Sequence, residues 1–406
     1  MLAGIGMTRI TLLLALGGAA SGCSIIDAIS GDDDSGGDAV CLDELDKCYF
    51  APDSYEVSLT PRFVEIGRFN DDGDQLDIAA IAEDGGVTFM IQDEEDDPGQ
   101  FVDVPGFQFS TPGVRDAARF DLNGDGVDEL VASTSTGRVE VINMVGIQFG
   151  VAVGDPGLLA AADYDRDGFD DVAVINHDTD QVVVLFGQSS GAFDTTTATL
   201  DIGFPMAGIA AADVDGVSGK DITVITQLPD GKLQTFLNDG NAGFTAQAPI
   251  DPCGVSDCPV DPGREHLLRL FAGNLDDDGR DDFIVHVVCE GCDDDYERLR
   301  FVTASSISNM QSHDRIDVDF AAVAFGVGHL DSDTTDDFVW QDGRNQGQLT
   351  FAQFDGIAEP GVPNTAALDL DTPSFDIAIG DVNADANGDL VLANDLFVDV
   401  ILTAEQ

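Results

Sequence analysis

From about residue 54 to the end, the chain alternates short apolar runs with polar turns, and no segment after the N-terminus keeps a helical period. Residues 138–142, Arg-Val-Glu-Val-Ile, alternate over their first four positions; residues 171–175 and 221–225 are runs rich in β-branched residues and led by an aspartate. Gly, Asn and Asp bound these runs, which is the pattern of strands and tight turns. The runs fall into units of four. A small-residue strand such as 158–162 or 208–212 enters an acidic loop, and an apolar strand leaves it. An alternating third strand follows, as in 138–142 and 181–185. A Gly-x-Phe or similar element then opens a fourth: Gly99 to Phe101, Gly191 to Phe193, Gly243 and Phe244.

The acidic loop recurs seven times. Copies begin at Asp121, Asp163, Asp213, Asn274, His329 and Asp381, and a degenerate one runs from Asn70 to Asp77. A period of roughly 40–60 residues belongs to propellers and solenoids. Four antiparallel strands repeated seven times predict an all-β fold, a seven-bladed β-propeller of four-stranded antiparallel blades. After the seventh loop only two strands remain, 390–393 and 397–403, while 55–60 is a spare strand ahead of the first blade. The N-terminal strand is therefore expected to close the last blade as its outer strand, which protects the edge.

The loops have the chemistry of a hard-cation site. Calcium takes six to eight oxygens at about 2.3–2.6 Å. On a tightly curled loop the residues at positions one, three and five turn inward, a glycine at six permits the bend, and a carboxylate at nine closes the site. Four copies are complete in these side chains: Asp121, Asn123, Asp125, Glu129; Asp163, Asp165, Asp167, Asp171; Asn274, Asp276, Asp278, Asp282; and Asp381, Asn383, Asp385, Asp389. The sixth begins with His329 but keeps Asp331, Asp333 and Asp337; the fourth has Val217 at position five and keeps Asp213, Asp215 and Asp221; the first has Arg68 at position one. Several structural Ca²⁺ ions are the expectation, since magnesium demands stricter octahedral geometry. The competing reading is that Asp and Asn only cap turns through their own hydrogen bonds.

At these residues the chain resembles the FG-GAP/VCBS repeat family, the repeat of the integrin alpha-subunit propeller, whose pattern is Asp-x-Asn/Asp-x-Asp-Gly-x-x-Asp before an apolar strand. Residues 121–130 match it with Glu129 in the ninth place. The resemblance covers the chain from about residue 55 onward. It implies a calcium-stabilised, non-enzymatic binding or adhesion module whose ligand is a protein or a glycan.

The remaining features change the setting rather than the fold. Arg9, the apolar run 10–20 and the small residues before Cys23 read as an export signal over residues 1–23, too short to span a bilayer. The segment before Cys23 resembles the bacterial lipoprotein cleavage box, which implies a lipid anchor on Cys23 and a place in the periplasm or on the cell surface. Residues 24–53, with Ser-Gly-Asp-Asp-Asp-Ser-Gly-Gly-Asp at 30–38, read as a flexible acidic tether, leaving 54–406 for the propeller. Six further cysteines form close pairs, Cys41 with Cys48, Cys253 with Cys258, and Cys289 with Cys292. Export favours disulfides, with local pairing the simplest arrangement and a four-thiolate zinc site the rival. A formal net charge of -60 makes nucleic acid and anionic membrane poor partners.

No catalytic constellation emerges. Gly187-Gln188-Ser189-Ser190-Gly191 has the spelling of a hydrolase elbow but sits in a hairpin turn with no helix after it. Trp340 occupies a second-strand position that suits packing. The alternative to a binding module is a polysaccharide-active enzyme on a propeller scaffold. The partner face is expected opposite the metal loops, beside the cysteine-bearing insertions and Arg264, Arg269, Arg298 and Arg300.

Overall fold

The computed structural model describes residues 39–405 apart from 43–46, 72, 74, 93–98, 110–111, 195–196, 218, 228–230, 253–264, 290–295, 305–309, 319–321, 332, 343–346, 355–363 and 371–372. Cys23 with its signal, and Cys253, Cys258 and Cys292, lie outside the described residues, as does the side chain of Cys289.

The chain is an all-β propeller of antiparallel sheets, and the expected count of seven is corrected to eight. Among the described residues seven sheets have four strands; six are simple meanders from inner to outer strand, and the seventh takes its outer strand from the N-terminal segment. The inner strands are Pro61–Gly67, Val114–Phe120, Pro156–Ala162, Met206–Ala212, Glu265–Gly273, Ala322–Gly328 and Asp376–Gly380. They are called the first to seventh blades below, in that order. The eighth sheet has three strands, Val40–Leu42, Lys47–Tyr49 and Thr403–Glu405. It was missed because counting acidic loops counts only sheets that own one. Two of its strands come from the stretch read as tether, where Cys41 and Cys48 are bonded across the hairpin.

The eighth sheet is bound by real packing. Tyr49 is buried with its ring 4.6 Å from Phe351, and Leu42 joins the apolar cluster containing Leu349, Leu390 and Ile401 of the sixth and seventh blades. Lys47 is 3 % exposed, and its ammonium donates to Asn387 Oδ1 at 2.5 Å in the seventh acidic loop. The strand Asp53–Glu56 then takes the outer place of the seventh blade, with Asp53 opposite Val400 and Glu56 opposite Phe397. This is two residues earlier than the sequence pattern suggested.

Inner strands are rich in Ala and Gly because seven of them converge on one axis. Second strands are buried on both faces, as in Ile78, Ala80, Leu130, Val174 and Val224, so they read as continuous apolar runs rather than alternating ones. Six of the seven inner strands carry a register shift near their start, for example between Pro61 and Phe63 and between Val114 and Asp116. Such bulges redirect side chains, and here they lie at the channel end away from the acidic loops.

The Gly-x-Phe elements act between blades. Phe101 meets Tyr55 of the seventh blade edge-on at 5.8 Å. Phe193 packs at 5.3 Å on Phe149 and stacks on Phe120 of the second blade. Phe244 lies against Tyr164 of the third. Phe193 does not open a strand; the fourth strand of its blade is Thr197–Asp201.

Candidate functional site

The acidic loops share a backbone as well as a spelling. Position four has a left-handed φ in Gly124 (70°), Arg166 (60°), Gly216 (71°), Asp277 (59°) and Ala384 (60°). Position six is left-handed in Gly126, Gly168, Gly279 and Ala386. For a non-glycine residue this costs roughly 1–2 kcal/mol, so the curl is imposed by what the side chains hold. The position-one carboxylates hold most. Asp121 accepts the N–H groups of Gly124 at 2.8 Å and Gly126 at 2.9 Å, and Asp163 accepts Gly168 at 3.0 Å. Positions three and five each accept the N–H two residues on, as Asn123 does from Asp125 and Asp125 from Val127, both at 2.9 Å. The same pattern runs through Asp165, Asp167, Asp276, Asp278, Asp331, Asp333, Asn383 and Asp385.

Convergence differs between copies. Asp163, Asp165 and Asp171 bring one oxygen each within 4.8 Å of one another, and so do Asp213, Asp215 and Asp221. Asp167 stands outside the first trio. The fourth loop, discounted for Val217, thus gathers its acids as tightly as the third. Among the described residues, the carboxylates of the second, fifth, sixth and seventh loops do not meet in threes at that distance. The fifth loop offers a different sign. Asn274 Oδ1 at position one is buried with no hydrogen-bond donor, while its Nδ2 donates to the Thr334 carbonyl at 3.1 Å, which fixes the amide orientation.

The ninth-position carboxylate proves to be a clamp. Asp171 accepts the Tyr164 N–H at 2.7 Å with one oxygen and the Gly187 N–H at 2.8 Å with the other. It thereby ties its own loop to the end of the third strand. Asp77, Asp221, Asp282, Asp337 and Asp389 repeat the double bond, and Glu129 makes the first half of it to Leu122. Each oxygen retains a lone pair, so clamping and metal ligation are compatible. Burial, followed by the neighbouring acids and opposed by these backbone bonds, pushes Asp171 and Asp337 up to about 8 and Asp221, Asp282, Asp389 and Glu129 up to about 7. Asp165 and Asp333 are raised for the same first cause.

Position eight was overlooked in the sequence. There an aspartate reaches back to the preceding blade. Asp170 Oδ2 accepts the Asp121 N–H at 2.9 Å; Asp128 does this to Arg68, Asp281 to Asp213 and Asp336 to Asn274. Each also donates its own N–H to the carbonyl of the same residue. Three blades lack the aspartate, having Leu76, Lys220 and Gly388. In two of them a carboxamide substitutes. Gln92 Nε2 donates to the carbonyls of Val382 and Leu76, and Asn238 Nδ2 to those of Tyr164 and Lys220. In the third, Gly388 packs so closely on the His329 carbonyl that a Cβ would sit 1.8 Å from its oxygen. The signal in the sequence was the recurring acid doublet, as in Asp170-Asp171 and Asp336-Asp337.

The central channel holds a second constellation. A cavity of about 620 Å³ opens beside the acidic loops, with Arg68, Arg119 and Asp128 on its wall. A second, of about 380 Å³, lies toward the bulged strand starts, with Arg62, Arg115, Arg269 and Asp116. Glu65 and Asp376 line both. Asp116 and Asp376 each accept an N–H from the next blade, Leu159 at 2.8 Å and Val64 at 3.1 Å. Burial first, and Asp376 second, pushes Glu65 up to about 8. Burial pushes Asp116 and Asp376 up to about 7 against their backbone bonds and Arg269. All three are packed deep in the ring, yet the lumen leaves part of each side chain open to solvent.

Other candidates find ordinary places. Trp340 is buried and stacked with Phe338 at 5.9 Å. His286 is buried and bonded to Glu297 at 2.7 Å. Arg300 is 2 % exposed, so it does not contribute to a surface patch as expected; Arg264 lies outside the described residues.

No family model matches this chain, and no curated protein is similar to it in sequence. Solved structures are similar in fold. BBS1N in complex with ARL6DN, soaked with mercury, shares 12 % identity at a TM-score of 0.57, covering 88 % of this chain and 97 % of that one. The lead-soaked crystal of the same complex gives 12 % and 0.57, covering 87 % and 96 %. The chain is a β-propeller, and at this identity the likeness is one of fold.

Proposed function

We propose that the protein is a calcium-stabilised, exported binding module without catalytic activity, held to a membrane through a lipid on Cys23, whose partner is a protein. The carrying observation is the convergence of Asp163, Asp165 and Asp171 within 4.8 Å of one another on a loop whose backbone is already curled. Neighbouring carboxylates repel, and burial disfavours their charged forms. A divalent ion reverses both terms. The undonated Asn274 Oδ1 supplies the same argument for the fifth loop, because a buried carbonyl oxygen without a donor suits a hard cation. The FG-GAP/VCBS-like spelling of the loops supports the same metal.

The binding role follows from the division of labour in the ring. Acids that look reactive in the sequence are tied to backbone N–H groups and hold blades together. The loops on the two faces that carry no acid motif remain for recognition. BBS1N, a propeller of similar fold, is found in complex with a protein, and this supports a protein as the partner here.

Calorimetric titration of the chelator-treated full chain with CaCl₂, with melts in calcium and in EDTA, tests the metal. Each independent site at a hundred times its Kd adds about 2.7 kcal/mol. Saturable heat and a raised Tm are expected; superimposable melts and no heat overturn the metal. Capture on the immobilised protein from an envelope extract tests the partner, with a stoichiometric protein expected.

A further inference from the structure

Outside the metal loops, the wall of the inner channel cavity combines three kinds of group. Arg62, Arg115 and Arg269 bring guanidinium groups from the first, second and fifth blades. Phe63, Phe271 and Phe375 are half-buried there and present apolar surface. Glu65, Asp116 and Asp376 supply carboxyl groups. The arginines are set in place. Arg115 is bonded to Asp155 at 2.6 Å and to the Pro156 carbonyl at 2.8 Å, Arg62 lies 3.7 Å over the Phe375 ring, and Arg269 lies 5.2 Å over that of Phe325.

The repeat frame shows that these residues are departures. Counting back from each acidic loop, Glu65 aligns with Ala118, Ala160, Ala210, Phe271, Gly326 and Ala378 of the other blades. Arg62 and Arg115 align with Gly157, Ala207, Leu268, Val323 and Phe375. The counterparts are uncharged, alanine or glycine in most blades and Leu268, Phe271, Val323 and Phe375 in the rest. Charge enters these two positions only at Arg62, Glu65 and Arg115, which packing of the ring does not call for.

We propose that this cavity is a binding site for an acidic sugar, a uronic-acid residue. The chemistry of the wall selects that class. The chain has 17 Lys and Arg against 77 Asp and Glu, so a cation would be attracted to most of its surface. A site for a cation would not gather three of those 17 at one cavity. A dianionic phosphate would meet three carboxyl groups at short range. A sugar carboxylate carries one charge, which faces the guanidinium groups through paired N–H···O bonds. Its hydroxyls donate to the carboxyl groups, and its C–H faces lie on the phenylalanines. A volume of about 380 Å³ is at the small end of ligand pockets and suits one sugar ring. The raised protonation of Glu65, Asp116 and Asp376 lessens their repulsion of an anion. The site shares no residue with the metal loops and stands or falls apart from the protein partner.

The test is calorimetry on the calcium-saturated full chain with D-glucuronate, D-glucose, propionate and L-serine. Saturable glucuronate binding is expected, with glucose and propionate at least about tenfold weaker, the usual consequence of one lost charge-assisted hydrogen bond. Arg269→Gln is expected to weaken glucuronate about tenfold or more with Tm unchanged. If that variant does not fold, Arg62→Gln is read in the same way. No glucuronate binding at about 20 mM, weaker than about 2.3 kcal/mol, equal binding of glucose, tighter binding of serine, or a folded variant with unchanged affinity each overturns the proposal.

Discussion

Asp170 and Asp121 exchange two hydrogen bonds across a blade junction. Asp170 Oδ2 accepts the Asp121 N–H at 2.9 Å, and the Asp170 N–H donates to the Asp121 carbonyl at 2.9 Å. One residue of the third blade thus fixes the height of the second. Burial and the Asp121 carboxylate raise the Asp170 carboxyl, while the bond to the Asp121 backbone opposes them. Asp170→Ala leaves the Asp121 N–H without its acceptor and is expected to cost about 1–3 kcal/mol, read from denaturant unfolding. Asp336→Ala is expected to behave alike at the Asn274 junction.

The carboxamide latches make a sharper contrast. Gln92 Nε2 donates to two carbonyls while its Oε1 accepts the Gly99 N–H at 3.3 Å, so Gln92→Glu puts a carboxylate oxygen where a donor is needed. The expected loss exceeds that of Gln92→Leu, which removes the donors but leaves no buried charge. Asn238→Asp against Asn238→Leu repeats the comparison. Equal destabilisation by the acid and the leucine, measured by urea midpoint, contradicts the assignment.

Calcium removal should act unequally on the loops. Asp165→Asn and Asp215→Asn lie in the two trios and are expected to weaken calcium binding at least about tenfold at one site each, since each removes a ligand charge. In EDTA the same variants should match or exceed the parent in Tm, because they relieve repulsion between neighbouring acids. Parallel melts with and without calcium measure this.

The channel acids predict a pH dependence in chelator. Glu65, Asp116 and Asp376 have folded values of about 8, 7 and 7, above the roughly 4 of an unfolded carboxyl. Between those limits the folded chain binds more protons than the unfolded one. Their contribution is therefore full below about pH 4 and lost as pH rises through 7 to 8. Tm in EDTA should fall from pH 5.5 to pH 8.5. Asp171 and Asp337 act in the same sense without metal, so Glu65→Gln isolates the channel: it should raise Tm at pH 8.5, leave it nearly unchanged at pH 5.5, and so reduce the difference.

The eighth sheet predicts a local opening. Reducing Cys41–Cys48 removes a short covalent loop, for which about 2–3 kcal/mol is typical. The expected result is faster amide exchange in Val40–Leu42 and Lys47–Tyr49 while the four-stranded blades stay protected. Tyr49→Ala should cost about 3–5 kcal/mol of local stability, as its ring is 1 % exposed against Phe351.

Much of the blade pattern was legible because one device repeats. An acid-rich bend followed by a β-branched run marks the junction of first and second strands in every four-stranded blade. What escaped was whatever does not repeat in that form. The three-residue strands at Val40–Leu42 and Lys47–Tyr49 have too few positions to show a period. At position nine, spacing says which acids converge, not which N–H groups they also meet. Asp170 was invisible beside Asp171 because its partner lies 49 residues away in the preceding blade. Gln92 and Asn238 matter only where a neighbouring acid is missing, and no local rule announces that. Val217 argued against the fourth loop, yet Asp213, Asp215 and Asp221 meet without a fifth-position acid.

The outer strand Asp53–Glu56 hydrogen-bonds to Phe397–Ile401, and Ser54 Oγ donates to Asp399 Oδ1 across 345 positions of chain. During synthesis the early segment therefore has no sheet to join until Phe397–Ile401 has been made. The disc therefore stays open at one seam for as long as translation has not reached Phe397, whatever the earlier blades have done.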